Sequence, residues 1–264
     1  MKDVYDKVRQ AGEEWLVGIS NAETHILDVN EEFVKEVNII SLSNRQYCYI
    51  VDPIIDGKRH FGQKELRKGE RKFFLQPGEI LENNKINDVV VLGEDEALLL
   101  KANSKFTDDD GTKYEPGNIW MKSGPCDYIP PIEVDVIEQR KSFPLDKNEG
   151  IYVRDKKTGE VKMIRGQTYM LSAHEELWKK DLGDIVEKLI SEGIDQMEYT
   201  KLNSINPKPR EQTRVVTFKA AKGSAVQLYD YKKYETRIVF GPELIMLGPY
   251  EDISVLSLSG GRPI

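Results

Sequence analysis

The sequence contains few of the residues that metal and redox sites use. Only two cysteines, Cys48 and Cys126, and three histidines occur among 264 residues, and the cysteines form no CxxC pair. This usage indicates neither a disulfide framework nor a thiolate metal site, and it fits a reducing compartment. The string HEELW at His174 begins like a zinc-protease HExxH helix, but Trp178 stands where the second histidine is needed. We therefore predict no bound metal and no cofactor.

Long apolar segments are also missing. The longest uninterrupted apolar runs are VVVL at 89–92 and ALLL at 97–100, whereas a membrane-spanning helix needs roughly 20 apolar residues. The amino-terminal stretch MKDVYDKVRQAGEEW is charged throughout and lacks the apolar core of a signal peptide. We expect no membrane association and a cytoplasmic location.

Positive charge is not in excess, since the formal net charge is −7 at pH 7. Proteins that bind nucleic acid directly gain affinity from clustered lysine and arginine, so we expect no direct nucleic-acid binding. The compact basic stretch RKGERK at 67–72 is interpreted as a solvated turn. Aromatic residues such as Tyr152 and Tyr169 fall within strand-like runs, where core packing is favoured over base stacking.

Motifs of common catalytic and ion-binding sites are missing or incomplete. No GxxxxGK[ST], GxGxxG or GxSxG string occurs. The acidic turn that starts at Asp52 resembles an EF-hand loop, but Ile54 at position 3 offers no oxygen ligand. Gln63 occupies position 12, where the EF-hand pattern has a bidentate glutamate. Weak calcium binding by the aspartates at 108–110 stays open, although a hairpin turn with solvated carboxylates is favoured. We predict no catalytic, cofactor-binding or metal-binding residues, and no enzyme activity.

What the sequence does contain is a repeat. Four apolar strand-like runs, each followed by a polar turn, occur at 46–51, 97–102, 150–155 and 225–231. Each is followed by a second strand, a glycine, a third strand, a loop and a last strand. We predict the last strands at 88–93, 132–140, 213–220 and 253–259. The glycines we align are Gly12, Gly69, Gly117, Gly166 and Gly241, with spacings of 57, 48, 49 and 75 residues.

The longest spacing predicts an insertion. The segment from His174 contains Trp178, Leu182, Ile185 and Leu189 at the spacing of one helix face. Ser172 and Glu175 form a capping-box pattern ahead of it. We predict an inserted amphipathic helix at about 174–198, whose apolar stripe covers the sheet of its own unit or of the next.

The predicted fold class is therefore mainly all-β, a tandem array of small antiparallel β-sheet repeat modules stacked as an elongated rod, with one inserted amphipathic helix. Such units are too small to be stable alone and gain stability by stacking on their neighbours. The predicted domains are a partial or first repeat at 1–43, repeats at 44–94 and 95–145, a repeat with the helix and loop at 146–220, and a C-terminally truncated repeat at 221–264.

Several long strings resemble the major vault protein family in collinear order over almost the whole chain. They are GEEWLV (12–17), DVNEE (28–32), GERKFFLQPGE (69–79), PLDKNEGIYVRDKKTGEV (144–161), GQTYMLSAHEELW (166–178), AVQLYDY (225–231), VFGPELIMLGP (239–249) and VLSLSGGRP (255–263). Strings of this length are far more specific than any short catalytic motif.

The resemblance implies a structural role. It implies a stave of repeat modules in the wall of the vault, a hollow cytoplasmic ribonucleoprotein shell built by parallel lateral packing of many copies. It implies as partners the chain itself, a vault poly(ADP-ribose) polymerase, a telomerase-associated RNA-binding protein and, indirectly, vault RNA. It carries no catalytic residues. Because members of the family are much longer, we expect this chain to be a fragment of the repeat region that continues past Ile264.

Two interpretations stay open from the sequence. Charged residues such as Arg67, Lys68, Arg71 and Lys72 could make lateral contacts between parallel chains, although a role in solubility is favoured for them. The alternative function is a β-repeat adaptor that captures partner proteins by strand addition at its sheet edges.

Overall fold

The computed structural model describes residues 3, 5–108, 110–195 and 210–254. The chain forms two compact units, Met1–Gln139 and Arg140–Ile264. Both are built of short antiparallel strands. No helix in the described part of the chain is long and apolar enough to cross a membrane.

The first unit is a series of short strands with one 3₁₀ turn at Glu82–Asn84. Its strands are β1 (Ile40–Leu42), β2 (Gln46–Val51), β3 (Ile54–Ile55), β4 (Lys58–Arg59), β5 (Lys64–Lys68), β6 (Arg71–Phe73), β7 (Ile80–Leu81), β8 (Asn87–Asp88), β9 (Val90–Leu92), β10 (Glu96–Ala102), β11 (Phe106–Thr107), β12 (Lys113–Tyr114), β13 (Ile119–Ser123), β14 (Cys126–Tyr128) and β15 (Val134–Lys141), whose end lies at the boundary between the units.

The second unit has the same character and also contains helix α1 (Asp184–Asp195). Its strands are β16 (Gly150–Asp155), β17 (Val161–Arg165), β18 (Glu175–Leu177), β19 (Thr217–Ala220), β20 (Ala225–Asp230), β21 (Glu235–Phe240), β22 (Glu243–Met246) and β23 (Glu251–Ser254).

One arrangement recurs four times. A long strand lies at the centre of an antiparallel sheet, and the strand orders are β5-β2-β7, β13-β10-β15, β17-β16-β18 and β21-β20-β23. A two-stranded pair accompanies it as β1-β6, β14-β9 or β19-β22, and an isolated bridge between Phe143 and Tyr169 takes its place in the third case. We call these repeats module A (residues 40–88), module B (90–141), module C (143–195) and module D (217–254).

The central strand β10 is a continuous apolar run because both of its faces are covered. In β10, Leu98 and Leu100 are 1% and 0% exposed, and Ala97 and Leu99 on the opposite face are 0% and 5% exposed. Alternate side chains of a strand point to opposite faces, so this pattern needs apolar residues at consecutive positions. The four central strands were predicted from such runs, and the mainly β fold of repeated small antiparallel sheets is confirmed.

The order of strands within a repeat differs from the prediction. The runs near 90 and 217 were assigned as the last strands of their units, but β9 pairs with β14 and β19 pairs with β22, so both bond to strands that follow them. Each begins a module instead of ending one. The predicted last strand near 253 is described only as far as Ser254, and its remainder lies outside the described residues. The predicted domain limits stay a prediction.

The register of the aligned glycines also needs correction at one position. The backbone amides of Gly69, Gly124, Gly166 and Gly241 each donate to the carbonyl of the residue just before or at the start of the central strand, at residues 46, 96, 149 and 224. Gly124 therefore replaces Gly117 in the repeat, and the amide of Gly117 bonds to Ala102 instead. Gly117 was misleading because its φ of 87° serves a different turn, within the β10–β13 connection.

The inserted helix exists but begins later than predicted and buries a different face. The helix starts at Asp184. The predicted first turn, near residue 175, is part of strand β18 instead. Val186 and Ile190 are buried in the core of module D, whereas Ile185 is 60% exposed and the side chain of Leu189 lies outside the described residues. The predicted face was wrong. The helix covers the core of the following module, which was one of the two predicted alternatives.

The predicted capping box is a turn ahead of β18. The amide of Ser172 donates to Oε2 of Glu175 at 2.9 Å, and the amide of Glu175 donates to the carbonyl of Ser172 at 3.0 Å. The first of these bonds also occurs in a capping box, whereas the second is an ordinary backbone turn bond. The sequence pattern therefore marked a real turn but was assigned to the wrong element. Trp178 packs edge-on against Tyr152 with ring centroids 5.8 Å apart, outside the helix.

Candidate functional site at the module junctions

The junction of modules C and D is organised around a buried tyrosine. Tyr152 lies in β16 and is 0% exposed. Its hydroxyl donates to the carbonyl of Leu247 at 2.7 Å and accepts a bond from the amide of Val216 at 3.2 Å. Burial raises the pKa of this hydroxyl to about 12, so it stays protonated and able to donate at physiological pH. One side chain thus satisfies two backbone groups that the sheets leave unpaired.

Close approach of the backbones makes this junction tight. A Cβ built on Gly150 would lie 2.7 Å from the carbonyl oxygen of Ile164 and 2.7 Å from Cγ2 of Val215. The amide of Val215 donates to the carbonyl of Gly150 at 2.8 Å. Glycine is therefore required here so that the segment leading into module D can lie alongside β16, where Ile151 and Arg214 form an antiparallel bridge.

The junction of modules A and B uses the same chemistry. The hydroxyl of Tyr49 in β2 donates to the carbonyl of Pro130 at 2.8 Å. Tyr49 and Tyr152 hold the same position in their central strands, and the two acceptors, Pro130 and Leu247, each lie five residues after the proline of a Gly-Pro pair with a cis peptide bond. Burial raises the pKa of Tyr49 as well. The hydroxyl-to-carbonyl contact is therefore a repeated feature of this fold.

A second donor strengthens the junction of modules C and D. Nζ of Lys180 donates to the carbonyl of Pro249 at 2.9 Å, and the residue is 2% exposed. Burial lowers the pKa of this amine to about 8, although the charges of Asp252 and Glu251 act in the opposite direction. Across the same junction the amide of Val161 donates to the hydroxyl of Tyr250 at 3.0 Å.

A glutamate holds the turn that leads into an edge strand, β7, β18 or β23, in three modules. Glu79, Glu175 and Glu251 each accept a bond from the backbone amide three residues earlier, at 2.9, 2.9 and 2.8 Å. Each also pairs with a cation on the opposite edge strand of the sheet, across the central strand. The cations are Arg67, Lys162 and Arg237.

These contacts change the acidity of the glutamates. Burial alone would raise their pKa values, but the cation and the backbone amides outweigh it, and the pKa of Glu175 falls to about 2. They remain ionised, and therefore able to hold the turn, at any physiological pH.

A groove lies beside the same junction. Its volume is about 800 Å³, and it is bounded by β17 on one side and by β21 and β22 on the other. Met163, Leu244 and Met246 give it an apolar floor, and Arg165 and Lys233 are among the charged residues at its rim. β17 and β21 are edge strands of their sheets.

The candidate residues from the sequence fall into separate places. Arg67 is engaged within module A by Glu65 and Glu79, and its side chain is 11% exposed, so it is not offered to a neighbouring chain. Lys68, Arg71 and Lys72 are exposed. No group of three metal-ligating side chains is found among the described residues.

The acidic turns are occupied by contacts within the chain. Asp52 accepts a bond from the amide of Gly62 at 2.7 Å and pairs with Arg59 at 3.2 Å, and Asp110 pairs with Lys122 at 3.3 Å. Asp109 lies outside the described residues. Calcium binding at 108–110 stays an open prediction.

Sequence reasoning missed the junction residues, although two signals for them were present. A tyrosine recurs at one position of the central strands in QYCYIV and GIYVRD. A glutamate recurs in QPGE, SAHE and GPYE, at the turn that leads into an edge strand of its module. The lysine at 180 had no such signal, because its burial depends on Trp178, Tyr152 and the turn of module D.

Comparison with known proteins points to one family. Four family models, each described as a major vault protein repeat domain, match residues 39–85, 90–131, 142–196 and 215–264 and together cover well over half of the chain. The chain is 56% identical over 256 residues to major vault protein alpha of Dictyostelium discoideum, a match that covers 97% of this chain and 29% of that protein.

Other relatives agree. The major vault protein of Strongylocentrotus purpuratus is 50% identical over 267 residues, and that of Bos taurus is 46% identical over 271 residues, with 99% of this chain covered in both cases. The chain spans about 30% of the length of these relatives, between 29% and 31%. With four repeat models matched in succession and this identity along almost its whole length, the chain belongs to the major vault protein family and consists of its repeat region.

Proposed function

We propose that this chain is a structural wall segment, a stave in a hollow cytoplasmic ribonucleoprotein shell built by parallel lateral packing of many copies. The observation that carries the proposal is the repeated junction, in which Tyr49 and Tyr152 each bond a carbonyl of the following module. Where one module is fixed to the next by this contact, as A is to B and C is to D, the pair has a defined geometry that an array can repeat. A non-catalytic role fits this design and the names of the relatives.

Lateral contacts between copies would be individually weak. The exposed cations Lys68, Arg71 and Lys72 lie on β5 and β6 of module A, and acidic turns recur along the chain. Exposed ion pairs contribute at most about 1 kcal/mol each. Many parallel copies would sum such contacts, because each contact raises the effective concentration of the next.

Partners and location belong to the same proposal. Apart from other copies of the chain, we propose the vault poly(ADP-ribose) polymerase and the telomerase-associated protein as partners of the assembled shell. Vault RNA would associate indirectly, since the acidic chain offers little for phosphate binding.

A chimera tests the structural role. The matching stretch of Dictyostelium discoideum major vault protein alpha would be replaced by this chain, and the purified product would be imaged by electron microscopy. We expect closed hollow particles like those of the unmodified protein made in parallel. A matched chimera with Tyr49→Phe and Tyr152→Phe should give fewer or irregular particles. Loss of particles with the unmodified chain, while the parent protein assembles, would contradict the proposal.

A second candidate function is supported by the groove beside the junction of modules C and D. The edge strands β17 and β21 and the apolar floor of the groove suit an extended peptide that adds as a further strand. An adaptor of this kind should retain a defined partner on the isolated chain, measured by pull-down with purified proteins. If the family partners named above bind the assembled shell but not the isolated chain, the architectural role alone remains.

A further inference from the structure

The turn at residues 247–249 of module D receives two side-chain donors from module C. Tyr152 donates to the carbonyl of Leu247, and Lys180 donates to the carbonyl of Pro249. The two donors differ in one respect. The tyrosine is uncharged over the whole physiological range, whereas the lysine can carry a charge.

The site of Lys180 provides poorly for an ammonium ion. An ammonium group has three donors. Within the described part of the chain, Nζ makes one hydrogen bond, to the carbonyl of Pro249. The rings of Tyr152 and Trp178 lie 5.9 and 6.0 Å from Nζ, at the outer limit of a cation–π contact. Among the described residues, no carboxylate lies within ion-pair distance of Nζ.

Other charged and titratable groups face this site from each neighbouring element. Asp252 and Glu251 on β23 favour the charged amine, and Arg210 opposes it. Glu251 is already paired with Arg237, and Arg210 is paired with Glu187 of helix α1.

The carbonyl of Pro249 has one further donor. The hydroxyl of Tyr231 reaches it at 3.3 Å, so this oxygen is shared between the tyrosine and Lys180. Burial outweighs the two nearby carboxylates, and the pKa of Lys180 is about 8 in the closed junction, compared with 10.5 in water.

We propose that Lys180 is a positioning residue that links closure of the junction between modules C and D to proton release. Above pH 8 the closed junction holds the neutral amine, which still donates to the carbonyl of Pro249. Opening returns the amine to water, where it binds a proton. This property lies within one chain and holds whether or not copies of the chain assemble.

The direction of the pH dependence follows from the two states. Below pH 8 the amine is charged in both states, so the equilibrium does not change with pH. Between pH 8 and 10.5 the closed state gains about tenfold per unit as pH rises. At neutral pH the junction is therefore at its weakest, and it tightens in alkali.

Titration of the lysine itself is the direct test. Lysine side chains of the unmodified protein would be followed by nuclear magnetic resonance of the Cε groups, with Lys180 assigned by its absence in Lys180→Met. We expect a midpoint near pH 8 for Lys180. A Lys180 midpoint at pH 10 or above would overturn the proposal.

Stability measurements provide the second test. Urea unfolding would be followed through Trp178 in a protein with Trp15→Phe and Trp120→Phe, with and without Lys180→Met. The ratio of the unfolding constant of the Lys180→Met protein to that of the protein with Lys180 should change about 30-fold between pH 7 and 9.5. The control Lys219→Met, an exposed lysine of β19, should leave this ratio constant. A constant ratio for Lys180→Met as well would refute the proton link.

Discussion

Replacing Tyr152 with phenylalanine should loosen the second unit at one identifiable place. The ring remains and fills the same space, so only the hydroxyl is lost. That loss leaves the carbonyl of Leu247 and the amide of Val216 without their partner in a fully buried site. An unsatisfied buried polar group costs about 1–3 kcal/mol. The hydrogen bond from the Val216 amide to the hydroxyl is long, at 3.2 Å, and contributes less than the other. We therefore expect a total loss of about 2–4 kcal/mol in the free energy of unfolding.

Amide hydrogen exchange is the decisive assay, because an array of modules need not unfold in one step. Protection of the Val216 amide should fall in Tyr152→Phe, while the amide of Leu247, which donates to the carbonyl of Val216 at 2.9 Å, should lose less. Tyr234→Phe is the matched control, since Tyr234 is 80% exposed, and it should change stability by less than about 0.5 kcal/mol. Unchanged protection of Val216 in Tyr152→Phe would refute the reasoning.

Two further predictions concern the same architecture. Gly150→Ala should destabilise the second unit by about 1–3 kcal/mol in urea unfolding, because the new Cβ would lie 2.7 Å from the backbone carbonyl oxygen of Ile164. A neutral result would contradict the close approach. Glu175→Gln should lower the free energy of unfolding by about 2 kcal/mol at pH 7, after allowance for the solvent exposure of Lys162. This difference from the unmodified protein should vanish as pH falls from 4.5 towards 2, because the pKa of Glu175 is about 2 when the protein is folded. Glu176→Gln, at a side chain that is 41% exposed, serves as the control.

The central strands could be predicted from the sequence because burial on both faces leaves a continuous apolar run. Local composition carries that information, so Glu96–Ala102 and its three counterparts were found close to their observed limits. The same reasoning failed for the helix, where Trp178 falls by chance on the spacing of a helix face. Its ring packs on Tyr152, and this contact is made only after the strands have come together.

The junction could not be predicted because its partners are distant in the chain. Tyr152 and Leu247 are separated by 95 residues, and Tyr49 and Pro130 by 81. A tyrosine in an apolar strand predicts burial, but a buried hydroxyl needs an acceptor that the sequence does not identify. The recurring position of the tyrosine was the available signal, and its meaning depends on the Gly-Pro turn of the following module.

The dependence of each tyrosine on a later Gly-Pro turn makes the modules distinguishable despite their shared topology. Prolines lack an amide, so backbone groups around such a turn cannot all pair within the sheets. Side chains of the preceding module supply the missing donors. The position held by Tyr49 and Tyr152 in modules A and C is occupied in module B by Leu99, which has no donor, and in module D by Gln227, a different one. A module that carries the tyrosine is therefore complementary to a following module that carries the Gly-Pro turn. The order of the modules is in this way encoded at their junctions.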